Sequence, residues 1–197
     1  IVKDAITDDD IPVHSCRVFH TRFFNIGGTG VEFKTPDMCY NVEVSNCTFV
    51  NMGEHAIHVE EKEIPLKVRI SNITVHNSIS GVYFNNVRDG VLTKSILTGS
   101  RSYAIRSTLP ATVTYICTYQ NVKNYENISP GTGCLDTNPL YFEPEAHNFS
   151  LLPGSPGLDT PVGAIGDLRW TGPSTLHAIR NKQLETWGFY LSILLLA

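Results

Sequence analysis

The stretch Val44-Ser45-Asn46-Cys47-Thr48-Phe49-Val50-Asn51-Met52-Gly53 recurs along the chain, and that recurrence restricts the accessible folds more than any other feature. Twenty-six residues earlier stands Val18-Phe19-His20-Thr21-Arg22-Phe23-Phe24-Asn25-Ile26-Gly27, and twenty-six later Ile70-Ser71-Asn72-Ile73-Thr74-Val75-His76-Asn77-Ser78-Ile79. Weaker copies start at Leu92 and Thr114, each read at a 22-residue step. A period of this length with short apolar segments predicts a solenoid, in which each repeat buries its apolar side against its neighbours.

Within each copy the apolar residues alternate, as half-buried strands require. The first strand offers Cys16 and Val18, then Val42 and Val44, then Val68 and Ile70. The second offers Thr21 and Phe23, Cys47 and Phe49, Ile73 and Val75, Ser95 and Leu97, Cys117 and Tyr119. A third strand closes each coil, at 30–33, 56–59, 81–84 and 104–107. Three short strands per coil predict an all-β, right-handed parallel β-helix of about five coils over residues 1–123. Two polar columns fall at the bends: His20, Asn46, Asn72 and Lys94 in one, Asn25, Asn51, Asn77, Gly99 and Asn121 in the other. Asn tolerates bend geometry and can bond the next amide in its column, so these read as asparagine ladders. Four sequons, at Asn46, Asn72, Asn127 and Asn148, match the N-glycosylation pattern, and the first two fall on ladder positions.

The chain has 42% hydrophobic residues, enough for a real core, and its net charge of -4 gives no reason to expect a nucleic-acid partner. Five cysteines without a CxxC pair speak against a zinc site. Cys47 and Cys117 are read in one inward column, three rungs apart, and so as small buried hydrophobes. Asp8-Asp9-Asp10 could suit a hard cation such as calcium or be a solvated turn; no other metal or cofactor is implied. Beginning at Ile1 with the repeat starting almost at once, the chain reads as a monomeric part of a larger multidomain protein.

The inserted stretches Lys34–Cys39 and Glu60–Pro65 lengthen two loops on one side. Residues 124–170 leave the repeat and are punctuated by Pro and Gly, which predicts a loop-rich closing segment packed on the last coils. Residues 171–197 predict a short peripheral helix, capped by Ser174, or the start of a truncated segment; the final apolar run is too short to span a bilayer.

The phrase from Asn46 to Gly53 resembles a coil of the right-handed β-helix superfamily of pectate lyases, within it the chondroitinase B and alginate lyase-like group. Asn138-Pro139-Leu140-Tyr141-Phe142, Phe149, Ser155-Pro156 and Gly166-Asp167-Leu168-Arg169-Trp170 are similar to the closing segment of secreted bacterial β-helix proteins. The resemblance covers roughly residues 13–170. It implies a secreted or cell-surface bacterial protein and a polysaccharide partner. The Lys-Ser and Arg-His-Gly motifs of the alginate lyase-like members are missing, as are the paired Asp and Arg-x-Lys motifs of the polygalacturonase-type hydrolases.

One outward column of the third strand combines residue types that β-elimination on a uronic acid chain needs: Glu32, His58, Tyr83 and Arg106. The reaction requires a base for the C5 proton, an acid for the leaving oxygen and a cation for the carboxylate. His58, Tyr83 and Arg106 are the catalytic candidates, with Glu32, His55 and Arg106 as substrate-binding residues. The alternatives are a non-catalytic glycan-binding module, an adhesin or structural solenoid, and for the column itself an ordinary solvent-facing ladder. A second outward column, Arg17–Glu43–Arg69, reads as a surface ion-pair ladder of little energetic weight.

Overall fold

The computed structural model describes residues 15–34, 41–61 and 67–171. The Asp8-Asp9-Asp10 run, Cys39, most of both inserted stretches and residues 172–197, where a terminal helix is expected from sequence, lie outside the described residues.

The chain coils as a parallel β-solenoid. Turn one holds β1 (Ser15–Phe19), β2 (Arg22–Phe24) and β3 (Val31–Lys34). The next holds β4 (Asn41–Val50) and β5 (His55–Glu60), the third β6 (Lys67–His76) and β7 (Ser80–Asn85), the fourth β8 (Asp89–Thr98) and β9 (Ile105–Ser107). Then come β10 (Thr112–Tyr119), β11 (Tyr125–Glu126) and β12 (Leu135–Asp136). One parallel sheet runs β1-β4-β6-β8-β10-β12, with β2 also on β4; a second runs β11-β9-β7-β5-β3. The solenoid makes about four turns, from β1 to β10, so five repeat copies are the rungs that bound four turns. The first two strands expected per coil run on as one bent strand in β4, β6, β8 and β10.

That bend is a left-handed residue. His20, Asn46, Asn72, Lys94 and Tyr115 all have φ of 51–54°. A second bend follows at Asn25, Asn51, Asn77, Gly99 and Gln120. The ladder there is real: Asn51 Nδ2 donates to Asn25 Oδ1 at 2.8 Å and Asn77 Nδ2 to Asn51 Oδ1 at 2.9 Å. Asn51→Ala should cost about 2 kcal/mol, from a left-handed backbone without an amide and from broken ladder bonds; urea unfolding would read it, with Asn51→Gly expected to be milder.

The last turn corrects two expectations. Leu92 pairs with Val113, a 21-residue step, so Ile116 rather than Cys117 continues the column of Cys47, Ile73 and Ser95. Gln120 rather than Asn121 takes the second bend. The positive-φ bend at Tyr115 switches the inward phase, so Val113, Ile116 and Thr118 follow the inward columns of Leu92, Ser95 and Leu97. Asn121 instead donates to Leu97 O and accepts from Ser100 N.

Inside the coil, Val31, Ile57, Val82 and Ile105 form one stacked column, and Phe23, Phe49, Val75 and Leu97 another. Phe23 and Phe49 lie with rings parallel, 4.8 Å apart. On the outer face, Thr48, Thr74, Ile96 and Cys117 form a column that the closing segment covers. Cys117 packs there with Ile96, Leu151 and Ile165, and burial pushes its thiol up to about 12.

Within residues 124–170, β11 and β12 still pair with the solenoid sheets; beyond them the closing segment forms an antiparallel hairpin of β13 (Tyr141–Glu143) and β14 (Asn148–Leu151), joined by a short 3-10 turn. It then crosses the solenoid towards turn one. Gly166 N donates to Lys94 O, Asp167 N to Thr74 Oγ1, and Thr48 Oγ1 to Asp167 Oδ2 at 2.6 Å. Arg169 pairs with Asp167 and reaches the carbonyls of His20 and Thr21 at 2.7 and 3.1 Å. Trp170 Nε1 donates to Thr48 Oγ1, and Arg22 lies over the Trp170 ring at 4.1 Å. The segment thus touches the turns from first to last, rather than the last coils alone.

Candidate functional site

The outer face of the second sheet carries the richest cluster of chemically competent side chains among the described residues. Strand register makes it a row: Glu32 pairs with His58, His58 with Tyr83, Tyr83 with Arg106, and Arg106 with Glu126. Inward Ile57 and Val59, Val82 and Phe84 pin this register, because a one-residue slip would turn them to solvent. At about 4.8 Å per strand, Glu32 and Arg106 lie about 14 Å apart along the solenoid.

Side-chain contacts run unbroken along the row. Glu32 Oε1 lies 3.0 Å from His58 Nδ1 and 2.9 Å from Lys34 Nζ. Burial alone would raise the Glu32 pKa, but hydrogen bonds from Lys34 and His58 outweigh it and hold the carboxyl below its usual range. The His58 ring stacks on Tyr83 at 5.0 Å, nearly parallel. Arg106 lies over Tyr83 at 4.9 Å and over Tyr103 at 5.7 Å. Its Nε is 3.5 Å from Glu126 Oε2, and Lys123 Nζ reaches the other Glu126 oxygen at 3.1 Å.

His55 stands beside the row. Its Nδ1 is 3.2 Å from the Tyr103 hydroxyl, and its ring is 5.2 Å from His58 and 5.5 Å from Tyr83. Burial, reinforced by His58, lowers the His55 pKa and favours the neutral ring. Tyr103 is pushed up by burial, against opposing contacts from Ser80 and Arg106. All the residues named from sequence are therefore brought together: Glu32, His55, His58, Tyr83 and Arg106.

Neither a protein-family model, nor a curated protein, nor a solved structure matches the chain. The chain is a parallel β-solenoid, and its chemistry lies in its own side chains.

Those side chains have a definite polarity. Glu32 can only accept from His58 Nδ1–H, so in the neutral ring Nε2 is the acceptor nitrogen, and that atom is buried with no hydrogen-bond partner among the described residues. A carboxylate orienting an imidazole whose second nitrogen is uncommitted is the arrangement of a general base. The side chain is only 12% exposed, so the ring must turn out of its stack to meet a substrate. Among the described residues, no group of three or more His, Cys, Asp or Glu is disposed to hold a metal ion, and no helix is long and apolar enough to cross a membrane.

Three members of the cluster escaped the sequence reading. Glu126 extends the row by one more rung, but its strand is two residues long and follows a shortened turn. Tyr103 precedes β9 and reaches the row from the side. Lys123 lies outside any strand and enters through its ion pair.

Proposed function

We propose that this chain is the β-solenoid domain of a secreted or cell-surface bacterial carbohydrate-active protein of the pectate lyase-like kind. The outer row of the second sheet takes an anionic, uronic acid-containing polysaccharide. One observation supports this reading above the rest: Glu32, His58, Tyr83 and Arg106 share one register, with their side chains in contact. Aromatic faces suit sugar rings, and a guanidinium suits a carboxylate.

As a lyase the row would work by β-elimination. His58 Nε2 takes the C5 proton, Glu32 steadies the ring through Nδ1, and Arg106 neutralises the uronate carboxylate. The C4–O bond breaks as the C4–C5 double bond forms, and Tyr83 protonates the departing oxygen. A non-catalytic glycan-binding reading is favoured by a different observation. His58 Nε2 is buried, and Arg106 is already paired with Glu126.

Incubation with alginate, pectate and chondroitin, with and without calcium, separates the two when unsaturated-product absorbance and binding are followed together. New absorbance that disappears in His58→Ala supports the lyase; saturable binding without absorbance supports the module. Arg106→Ala should weaken binding about tenfold, the loss of one charge-assisted contact. No binding and no product on any of the three polymers would remove the carbohydrate reading.

A further inference from the structure

We propose that the hairpin β13–β14 is an acid-sensitive strap, released from the solenoid when His76 takes up a proton. The two ends of the closing segment are attached by different chemistry. The end at Asp167–Trp170 is held by an ion pair and hydrogen bonds to turns one, two and three. The hairpin end is held by apolar contacts: Leu151 packs with Ile96, Cys117 and Ile165, Phe149 meets Trp170 at 5.9 Å, and Phe149 and Tyr141 close around one imidazole. His76 of β6 lies 5.2 Å from the Phe149 ring and meets Tyr141 edge-on at 6.1 Å. Phe149 and Tyr141 also meet edge-on, at 5.1 Å. The turn between the strands carries His147, which stacks on Phe24 of turn one at 4.9 Å.

The hydrogen bonding at His76 fixes which ring nitrogen donates. Thr98 Oγ1 donates to Val75 O, so it accepts from His76 Nδ1–H at 2.9 Å. A second proton would put a cation under Phe149 and Tyr141. Burial disfavours that charge most, Glu145 favours it, and His147 opposes it, with a net lowering of the His76 pKa. Burial also keeps the Tyr141 phenol neutral, so it offers no compensating charge. The sign follows from linkage. With the docked pKa below the ordinary value of about 6.5, docking is at full strength above that pH. It weakens as the pH falls, and the loss is complete once the docked ring itself is protonated. The strip uncovered on release is the outer edge of the first sheet around His76, Thr98 and Phe24.

Amide hydrogen exchange on the wild-type chain at pH 7.5 and pH 5.0, corrected for intrinsic exchange rates, tests this. The amides of 141–151 should exchange several-fold faster at pH 5.0, while those of β4, β6 and β8 hold their protection. His76→Gln, neutral and still able to donate to Thr98, should abolish the difference, and His147→Gln should keep it. Equal protection of 141–151 at the two pH values in the wild type overturns the proposal, whether or not the variants fold. So does a pH difference that survives in His76→Gln.

Discussion

Replacing Asp167 by alanine is expected to destabilise the fold by about 3 kcal/mol, measured by urea unfolding. The carboxylate is fully buried and serves several partners at once: Thr48 and Arg169 through side chains, and the Arg169 backbone N–H. Its removal strands a guanidinium that is still 25% exposed, which places the loss at the lower end for a broken buried pair. It also takes away the acceptor of Thr48, a fully buried hydroxyl that itself accepts from Trp170. Asp167→Asn should cost less, because the amide oxygen can still accept from Thr48. A change below about 1 kcal/mol in Asp167→Ala would mean that the segment is held by its apolar contacts instead.

Phe49→Ala should be at least as damaging, at about 4 kcal/mol. Phe49 has no exposed surface, stacks on Phe23, and lies in the column that continues through Val75 and Leu97. The backbone around it is fixed by parallel pairing to β2 and β6, so the coil cannot close over the void. Thermal and urea unfolding of Phe49→Ala and Phe49→Leu would show this, the leucine variant recovering most of the loss. Similar values for the two would imply that the turn collapses around the gap.

The row on the second sheet was legible because its neighbours are. Inward Ile57, Val82 and Ile105 set the phase of β5, β7 and β9, and outward His58, Tyr83 and Arg106 follow from alternation. The loops between these strands change length, from a 26-residue step at Glu32 to 20 at Glu126, but each strand carries its own apolar pattern. The rung at β10 was misread for the opposite reason. Thr112–Tyr119 has apolar residues in both phases, and the bend at Tyr115 is occupied by a residue with no preference for a left-handed backbone. The contacts of the closing segment were illegible altogether. Thr48 and Asp167 are 119 residues apart, and nothing periodic links them. A sequence exposes stacking of like on like; it does not expose where a non-repeating segment lies across the stack.

That segment changes how the chain must be built during synthesis. A solenoid held by neighbours alone can lock each coil as it leaves the ribosome, since every contact is one turn away. Here the carbonyls of His20 and Thr21 receive Arg169, 149 and 148 residues later. Turn one therefore waits, with this fastening unmade, until the described chain is almost wholly synthesised. Contacts of such sequence separation slow the closing step and join the turns into one cooperative unit, which opens as a whole instead of fraying from its first rung.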